Sequence, residues 1–537
     1  MLSYRKLAMR VLGHPLHTGG GIDSPRPASQ RAAAFILTAA MLTTLAAPAF
    51  ADIWHIENGD ITISAGESGN NVTQNNNTTY GDTNTIITNQ NKDTASSHTV
   101  TIEAKDKDDK VEVTLKDVNI DTSSRNKAAV SVTGEGDTNI KLDGDNALKS
   151  DIYRSGIYGS GSGSLTISGG ENDSLTAQGG SGANGISSSG SLTISGGTVT
   201  ANGDDGGRGI SSSGSVTISG GSTVTANGGS GTISGGDGIW SGGGVTISGG
   251  STVTANGGNG GSLVGGDGIR SGGGLTVSDG TVTAKGGNGD SKDGYGGDGI
   301  RSGGVVTISG NTVNAAGGYG GKVGGYGICS FDRVAISGGT VEAAGGNGST
   351  GGGSGIYSSV IDLSGSLELT AKAGSPTGKA LLQNGRELDL DTIKDKLGPG
   401  AKVTATDANG ETKQVSIPRP VEPEESSSSS DGGSAAPSAP ASPLPGLTVT
   451  DKDGQRISYT STQSGNTLTV CVGRFTASFR ISLAALRQLR AEGIETIAFQ
   501  TILCSTSLSV DELLTMGGED AEAVLTHRFT DSSLTVG

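Results

Sequence analysis

Apolar and polar residues alternate in three short segments that recur along the middle of the chain. One repeat, Gly209 to Asn227, reads G-I-S-S-S-G-S-V-T-I-S-G-G-S-T-V-T-A-N. Its V-T-I and T-V-T-A segments have the period-two pattern of strands with one buried face. Clusters of Gly, Ser and Asn separate the segments, and these residues tolerate the backbone angles of tight corners. Three strands and three corners therefore form one coil.

The coil returns about every 28 residues, a period typical of solenoid proteins. The isoleucine of each G-I step marks the repeat, at Ile157, Ile186, Ile210, Ile239, Ile269, Ile300, Ile328 and Ile356. A single coil buries too few apolar side chains to fold alone, so successive coils must stack at about 4.8 Å through hydrogen bonds between equivalent strands. The pattern predicts a mainly β fold, a right-handed parallel β-helix. Helical repeats are excluded because the 96 Gly residues disfavour helices.

Changes in composition divide the rest of the chain into further segments. We predict a signal peptide at 1–51, an N-terminal cap with loose loops at 52–100, the β-helix repeats at 101–371, a C-terminal cap at 372–417, a Pro/Ser-rich linker at 418–446 and a small α+β domain at 447–537. The signal peptide is indicated by an apolar run at 32–47 that precedes the small-residue site Ala49-Phe50-Ala51. In the last domain, Ser482 is the predicted N-cap of a helix.

Charge and hydropathy limit where the protein can be located and which partners it can bind. The chain carries 37 Lys and Arg against 53 Asp and Glu, which argues against nucleic acid as a partner. Beyond the signal peptide, no segment has the length and apolarity of a transmembrane span. Together with the signal peptide, this predicts a secreted or extracellular protein, either free or attached to the cell surface. Any association with the cell wall would be non-covalent or through the C-terminal domain.

Stacking of the coils aligns equivalent residues in columns. The position after each repeat isoleucine reads Tyr158, Ser187, Ser211, Trp240, Arg270, Arg301, Cys329 and Tyr357. We take Trp240, Arg270, Arg301 and Tyr357 as candidate ligand-binding residues. A flat indole suits the apolar face of a sugar ring, and a guanidinium suits the carboxylate of an acidic sugar.

A second column, two residues before the isoleucine, contains Asp237, Asp267 and Asp298. Carboxylates stacked at about 5 Å repel one another, so an arginine or a bound cation must relieve them. These three residues are the candidate ligands for a calcium ion. A solvated column of ion pairs, Asp267 with Arg270 and Asp298 with Arg301, is the interpretation that we favour over calcium.

Other residues form weaker candidate sites. Asn202, Asn227 and Asn256 predict a structural ladder of amides at one corner. Tyr295, Tyr319 and Tyr326 lie on the corner whose length varies most between coils. Cys471 and Cys504 form a disulfide or remain two free thiols, since connectivity cannot be read from sequence. The five His residues are scattered, and they suggest no catalytic or metal-binding arrangement.

The segment 111–148, with Leu142-Asp143-Gly144-Asp145-Asn146, is followed by Ser164-Leu165-Thr166-Ile167-Ser168 and then by the G-I coils. This succession resembles the secreted β-helix carbohydrate-binding-domain proteins of Gram-positive bacteria, which are relatives of the pectin-lyase-like solenoids. The resemblance covers about residues 52–371. It implies binding of plant-type or acidic polysaccharide, with calcium in some members and without demonstrated catalysis. No binding residue is carried over from the family.

These observations together predict a protein that binds carbohydrate along one face of its coils. The alternative is a non-catalytic structural stalk or adhesin. A calcium-dependent polysaccharide lyase is the third interpretation, and it is the least favoured because the coils are too uniform to form an elaborated cleft. We therefore expect a binding protein and not an enzyme.

Overall fold

The computed structural model describes two units of the chain. The described residues are 52–418 without 311, and 446–536 without 452–455, 458, 465, 473–475, 502–504, 517–520 and 528–531. The chain divides into the units Met1–Glu422 and Pro423–Gly537. The predicted signal peptide and nearly all of the predicted linker lie outside the described residues.

The first unit is a parallel β-solenoid of about 13 turns, which confirms the predicted fold class. Its strands are β1 Ile53–His55, β2 Ile61–Gly66, β3 Gly69–Gln74, β4 Asn77–Asp82, β5 Ile86–Thr88, β6 Val100–Ala104, β7 Lys110–Lys116, β8 Asn119–Asp121, β9 Val130–Gly134, β10 Asp137–Asp143, β11 Asp145–Lys149, β12 Ile157–Gly159, β13 Leu165–Ser168, β14 Ser174–Ser181, β15 Ile186–Ser188, β16 Leu192–Ser195, β17 Thr198–Asp204, β18 Ile210–Ser212, β19 Val216–Ser219, β20 Thr223–Asn227, β21 Ile239–Ser241, β22 Val245–Ile247, β23 Ser251–Asn256, β24 Ile269–Ser271, β25 Leu275–Val277, β26 Gly280–Lys285, β27 Ile300–Ser302, β28 Val306–Ile308, β29 Thr312–Ala316, β30 Ile328–Ala344, β31 Ile356–Lys372, β32 Leu381–Gln383, β33 Arg386–Glu387, β34 Lys402–Thr406 and β35 Thr412–Ser416.

Three parallel ladders run along the solenoid, one for each strand of the coil. The first ladder contains the G-I strands and passes through β2, β6, β9, β12, β15, β18, β21, β24 and β27. The second contains the V-T-I strands from β13 to β28, and the third contains the T-V-T-A strands from β14 to β29. The long strands β30 and β31 span the corners and take part in all three ladders. The register is the one that the repeat predicts.

The core of each coil is a narrow stack of aliphatic side chains. Ile239 pairs in register with Ile269, and Ile269 with Ile300. All three are completely buried, and each such side chain stabilises the fold by about 1.5 to 3 kcal/mol. The intervening threonines of the second ladder, such as Thr246 and Thr276, point outward and are exposed. The period-two pattern thus fixes which face of every strand is buried.

From β15 onward, a buried serine follows the outward residue of each G-I strand. The hydroxyl of Ser271 donates to the carbonyl of Gly243 in the preceding coil and to that of Gly274 in its own coil, both at 3.0 Å. Ser241 and Ser302 make the equivalent bonds. These bonds satisfy buried polar groups and link each G-I strand to the following corner in its own coil and in the preceding coil.

Glycine-rich loops close the corner between the T-V-T-A strand and the next G-I strand. Their backbone amides form a continuous chain of hydrogen bonds, in which Gly258 donates to Gly236, Gly266 to Gly258, Gly287 to Gly266 and Gly297 to Gly287, each at 2.8 Å. The loops of adjacent coils approach so closely that a Cβ at Gly266 would lie 1.9 Å from the carbonyl oxygen of Gly236 in the preceding coil. Glycine is required here because no side chain fits. We call this chain of bonds the glycine lattice.

Antiparallel strands cover the N-terminal end of the solenoid. β3 pairs with β2 and β4 pairs with β3, both antiparallel, and a short 3₁₀ helix, Ile56–Asn58, precedes them. Regular antiparallel strands thus replace part of the loose loops expected for 52–100. The segment is polar and Asn-rich, but Val72 and Ile87 are fully buried, and a hairpin protects the open edge of the first coil from pairing with other chains.

The C-terminal end is closed by a 3₁₀ helix and a hairpin. The helix, Leu390–Lys396, buries Leu390 and Ile393, and the side chain of Asp389 accepts a hydrogen bond from the amide of Asp391 at its start. β34 pairs with β31 in parallel and with β35 antiparallel. Both elements lie within 372–417, the segment predicted to be the C-terminal cap.

The second unit contains two four-stranded sheets and two helices among its described residues. The elements are β36 Leu447–Thr450, β37 Thr460–Ser464, β38 Thr467–Cys471, β39 Ala477–Ser482, α1 Leu483–Ala491, β40 Thr496–Gln500, β41 Ser505–Ser509, α2 Val510–Thr515, β42 Glu522–His527 and β43 Ser532–Val536. The sheet orders are β36-β39-β42-β43 and β37-β38-β40-β41. The hydroxyl of Ser482 accepts from the amide of Ala485 at 3.2 Å, so it is the helix N-cap as predicted.

Candidate functional site

The residues that follow the repeat isoleucines form one outward column on the first ladder. Trp240 pairs in register with Arg270, and Arg270 with Arg301. The same column continues to Tyr357 at one end and to Tyr158 at the other. We call the column face the set Ser131, Tyr158, Ser187, Ser211, Trp240, Arg270, Arg301, Cys329 and Tyr357. The four candidate ligand-binding residues are therefore on one surface, at intervals of one or two coils.

The four candidates differ in how much of each side chain is accessible. Arg270 is exposed, whereas Trp240, Arg301 and Tyr357 are half-buried. No hydrogen bond or ion pair joins the guanidinium of Arg270 to another described residue. Arg270 is thus the group on this surface that is most available to an anionic ligand.

Arg208 covers part of Trp240. Its guanidinium carbon lies 4.5 Å from the centroid of the indole ring, and its Nε donates to Oδ2 of Asp237 at 3.1 Å. A guanidinium over an aromatic face is held by the ring quadrupole. Arg208 is absent from the residues predicted for the site, although it occupies the position of the Asp column in the coil before Asp237.

Aromatic residues surround the C-terminal end of the column. The guanidinium carbon of Arg301 lies 5.4 Å from the centroid of Phe331. Tyr326 stacks on Tyr357 with ring centroids 5.1 Å apart and an angle of 15° between the rings. Cys329 lies between Arg301 and Tyr357 in the column and is almost fully buried. Desolvation raises the pKa of its thiol to about 12. Tyr326 therefore belongs to this surface and not to the tip of the corner loop.

The three aspartates lie beneath this surface and are not solvated, which corrects the expectation of exposed ion pairs. Asp237, Asp267 and Asp298 are 6%, 5% and 4% exposed. Each aspartate follows the last glycines of its loop, in the steps Gly236-Asp237, Gly266-Asp267 and Gly297-Asp298. The burial of the column follows from the path of the loops, which the sequence pattern alone does not reveal.

A ladder of backbone amides binds one oxygen of each aspartate. Oδ1 of Asp237 accepts from the amide of Asp267 at 2.9 Å, and Oδ1 of Asp267 accepts from the amide of Asp298 at 2.7 Å. The next rung continues to the amide of Tyr326 at 2.7 Å. Asn184 occupies the same position earlier in the chain, and its Oδ1 accepts from the amide of Arg208 at 2.8 Å. A neutral amide can thus make the same bond as a carboxylate.

The second oxygen of Asp298 is less well satisfied than that of Asp237, which accepts from Nε of Arg208. Arg301 Nη1 lies 3.5 Å from Oδ2 of Asp298, yet this buried oxygen accepts no hydrogen bond from the described residues. The expected ion pair of Asp298 with Arg301 is present. The expected ion pair of Asp267 with Arg270 does not form within the described structure.

Burial raises the pKa of two of these carboxyls. Desolvation raises the pKa of Asp298 to about 6, against the opposing effects of the Tyr326 amide and of the Arg301 and Arg270 charges. Desolvation and then the charges of Asp298 and Asp237 raise the pKa of Asp267 well above its ordinary value. In both cases a low-dielectric environment disfavours the ionised form.

Replacing Asp298 with Asn should flatten the dependence of stability on pH. Because the pKa of Asp298 is higher in the folded protein than its ordinary value of 3.8, the folded state binds more protons than the unfolded state between about pH 4 and about pH 6. The free energy of unfolding of the wild type must then fall as pH rises through this window. For a shift of about two units the loss is on the order of 3 kcal/mol.

Urea unfolding at about pH 4.5, 5.5 and 7 measures this difference. The amide side chain introduced by Asp298→Asn would still accept from the Tyr326 amide, as Asn184 accepts from Arg208, so the ladder itself is kept. Asp290→Asn, at an exposed loop position, is the matched control. If the Asp298→Asn variant lost stability with rising pH as steeply as the control, ionisation of the buried aspartate would not be the cause.

The hydrogen bonds of the three aspartates also decide whether these residues can form a calcium site. One oxygen of each aspartate already accepts an amide hydrogen, and the carboxylates follow one another along the axis without converging on a point. Among the described residues, no group of three or more His, Cys, Asp or Glu side chains is arranged to hold a metal ion. Calcium prefers six to eight converging oxygens. The three aspartates therefore do not fit the coordination that calcium requires.

Two other predicted columns lie elsewhere on the coil. The amide of Asn227 donates to Asn202 and that of Asn256 to Asn227, both at 2.8 Å, so the asparagine ladder forms as predicted. Tyr295 and Tyr319 are exposed on the corner loops. Neither column contacts the column face through a described interaction.

Comparison of the chain with known protein families, with curated proteins and with solved structures found no match. The resemblance to β-helix carbohydrate-binding-domain proteins therefore remains a resemblance of sequence pattern.

The remaining expectations concern membranes and cysteines. In the part of the chain that the structure describes, no helix combines the length and apolarity needed to cross a bilayer. The Sγ of Cys471 lies 3.4 Å from Oε1 of Gln500. Cys504 lies outside the described residues, so the structure does not decide between a disulfide with Cys471 and two free thiols.

Proposed function

We propose that this protein binds an acidic polysaccharide along the column face. The observation that carries the proposal is the exposed guanidinium of Arg270, which lacks a partner among the described residues and is flanked in register by Trp240 and Arg301. A guanidinium binds a carboxylate through two parallel hydrogen bonds. Rungs about 4.8 Å apart are close to the length of one sugar residue, so a polymer lying along the axis can meet successive coils.

The contacts assign different roles to the candidates. Arg270 is the primary group for a carboxylate, whereas Arg301 shares its charge with Asp298 at 3.5 Å. Trp240 offers a sugar only the part of its ring that Arg208 leaves open. Tyr357, stacked on Tyr326, extends the aromatic surface by two coils. The binding surface is therefore mixed, with aromatic rings beneath the guanidinium groups of Arg208 and Arg301 and an exposed guanidinium at Arg270.

The charge of the whole protein bears on the choice of ligand. The chain is acidic overall, with a net charge of −16, and would repel a polyanion at most of its surface. Cations concentrated on one surface supply the attraction and restrict binding to that surface. Binding of an acidic polymer should consequently weaken as salt is added.

We also propose export of the protein and attachment near the cell surface. The apolar run at 32–47 and the small residues before Asp52 support export. The second unit, Pro423–Gly537, is a separate domain that could hold the solenoid near the cell wall. This location would place the column face where extracellular polysaccharides occur.

A structural stalk is the second candidate function, and one observation favours it. All three ladders and the glycine lattice continue through the repeats without interruption, as a rigid spacer requires. A stalk needs no ligand, so the binding experiment distinguishes it from the first proposal.

Replacing Trp240, Arg270 and Arg301 together with Ala should reduce the affinity for polygalacturonate by at least about 100-fold, since three contacts at about 1 kcal/mol or more each are lost. Isothermal titration of the chain from residue 52 onward, at low and high salt, measures this change. The matched control replaces Thr246, Thr276 and Thr307 with Ala. These residues stack outward in the same three coils but on the second ladder. Equal affinities of the two triple variants would contradict the proposed surface, and no binding by the wild type would favour the stalk.

A further inference from the structure

Two cavities flank Tyr158 at the N-terminal end of the column face. One, of about 300 Å³, is lined by Thr99, Lys127, Ser131, Arg154 and Tyr158 among others. The other, of about 220 Å³, is lined by Tyr153, Arg154, Tyr158, Asn184 and Ser187 among others. Arg154 and Tyr158 line both cavities. Their volumes are at or below the lower end of the range for small-ligand sites, which suits one or two sugar rings and not a longer segment.

The sequence explains why space exists on both sides of this tyrosine. Tyr158 pairs in register with Ser131 in the preceding coil and with Ser187 in the next. Both neighbours are small, so the ring has no bulky side chain above or below it in its column. Tyr158 is 44% exposed, whereas Trp240 is covered by Arg208. An open aromatic face of this kind is suited to the apolar face of a sugar ring.

A second tyrosine lies at the rim of the smaller cavity. Tyr153 is 77% exposed and has a left-handed backbone with φ of 58°, which is uncommon for a bulky residue. Its ring lies over Gly182 of the next coil, where an added Cβ would come within 2.9 Å of the ring. The glycine thus allows the ring to lie against the backbone with its other face open to solvent.

Cationic groups lie beside these rings. Arg154 is exposed, and its Nε donates to Oδ1 of Asn126 at 3.3 Å. Its two terminal nitrogens have no partner among the described residues. Lys127 lies 3.0 Å from Asp60, but that carboxylate also binds Arg125 at 2.8 Å. Asp151 is also close by, since it accepts a hydrogen bond from the amide of Asn126. The charged residues that line the cavities themselves are Lys127 and Arg154, so the lining favours an anion.

We propose that the two cavities around Tyr158 form a second site, which binds an acidic mono- or disaccharide unit through Arg154 and the rings of Tyr153 and Tyr158. The site lies three coils from Trp240, about 14 Å at 4.8 Å per coil. A short ligand therefore binds there independently of the Trp240, Arg270 and Arg301 column. The choice of an acidic sugar as the ligand rests on the proposed function. The existence of the site rests only on the cavities, the two tyrosine rings and the guanidinium of Arg154.

The experiment uses digalacturonate and, as a neutral probe of equal length, a disaccharide of galactose. Titration followed by NMR or calorimetry compares the wild type with Arg154→Gln and Tyr158→Ala, in the chain from residue 52 onward. Each variant should bind digalacturonate at least about tenfold more weakly. The neutral disaccharide should bind the wild type more weakly than the acidic one.

Matched controls separate the site from the general surface. Tyr80→Ala removes a tyrosine that is also 77% exposed but lies on the N-terminal hairpin, and Arg386→Gln removes an exposed arginine of β33. Both should bind digalacturonate as the wild type does. Tyr158→Phe keeps the ring and should retain most of the affinity, which guards against a loss of binding caused by misfolding of Tyr158→Ala.

The outcomes distinguish this site from the proposed function. Loss of digalacturonate binding in Arg154→Gln and Tyr158→Ala, with binding kept in the triple variant of Trp240, Arg270 and Arg301, supports the second site. If the wild type binds polygalacturonate but not digalacturonate, or if the Tyr158 and Arg154 variants bind digalacturonate as tightly as the wild type, the second site is overturned and the proposed function stands. If no acidic glycan binds at all, both are overturned.

Discussion

Replacing Ile269 with Asp should unfold several neighbouring coils. Ile269 is fully buried between Ile239 and Ile300, which are its partners in the first ladder. A carboxylate at this position would have no partner in a core of aliphatic side chains, and burial of an unpaired charge is among the costliest single changes. We expect a loss of more than about 4 kcal/mol. Since a coil is stable only against its neighbours, the loss should extend to the coils on both sides.

Hydrogen exchange followed by mass spectrometry measures how far the damage extends. Protection should fall in peptides that contain Ile239 and Ile300 as well as in the mutated coil. Thr276→Asp introduces the same charge into the same coil on an exposed outward position, and it should change protection little. Unchanged exchange around Ile239 and Ile300 in the Ile269→Asp variant would be incompatible with a cooperative stack.

Replacing Gly266 with Ala should also be severely destabilising, although it adds one methyl group. That methyl would lie 1.9 Å from the carbonyl oxygen of Gly236 in the preceding coil, far below any contact distance, so the loops of the two coils would have to separate. The hydrogen bonds of Gly266 to Gly258 and of Gly287 to Gly266 would then be strained or lost. We expect a loss of about 3 kcal/mol or more, at the upper end of the cost of overpacking. Elsewhere, Gly→Ala at a compatible position stabilises a protein.

Gly351 offers a control in the same kind of loop. An added Cβ there would meet its nearest neighbours, Thr377 and Val323, at 3.6 Å, which is an ordinary contact. Gly351→Ala should therefore change the free energy of unfolding by less than about 0.5 kcal/mol. Chemical denaturation of the two variants side by side tests the difference. Equal stabilities would show that the close approach in the glycine lattice does not exist in solution.

The fold could be predicted because the repeat contains the information several times. Each G-I step identifies the same strand, and the alternation around Val245 or Leu275 states which side is buried. If the strands of one coil are assigned wrongly from the sequence, the pattern of the next coil shows the mistake. The column of Trp240, Arg270 and Arg301 followed directly, since residues at equal positions in stacked coils must be neighbours.

The environment of the column could not be predicted in the same way. The burial of Asp267 depends on where the glycine loops run, and glycine has no side chain whose pattern would indicate a direction. The contact of Arg208 with Trp240 depends on side-chain conformations and joins two positions of different columns. The N-terminal hairpin was missed because β3 and β4 occur once, so their polar sequence had no repeat to support it.

The equivalence of the coils has a consequence for how such a gene can change. If residues 239–268 were lost, Ile210 would meet Ile269, and every strand would find equivalent backbone donors and acceptors and an aliphatic core at the new junction. Duplication or deletion of a whole coil therefore preserves the register of the strands in each ladder. The reach of the protein can lengthen or shorten in steps of about 4.8 Å, and selection can adjust that reach separately from the chemistry displayed on each step.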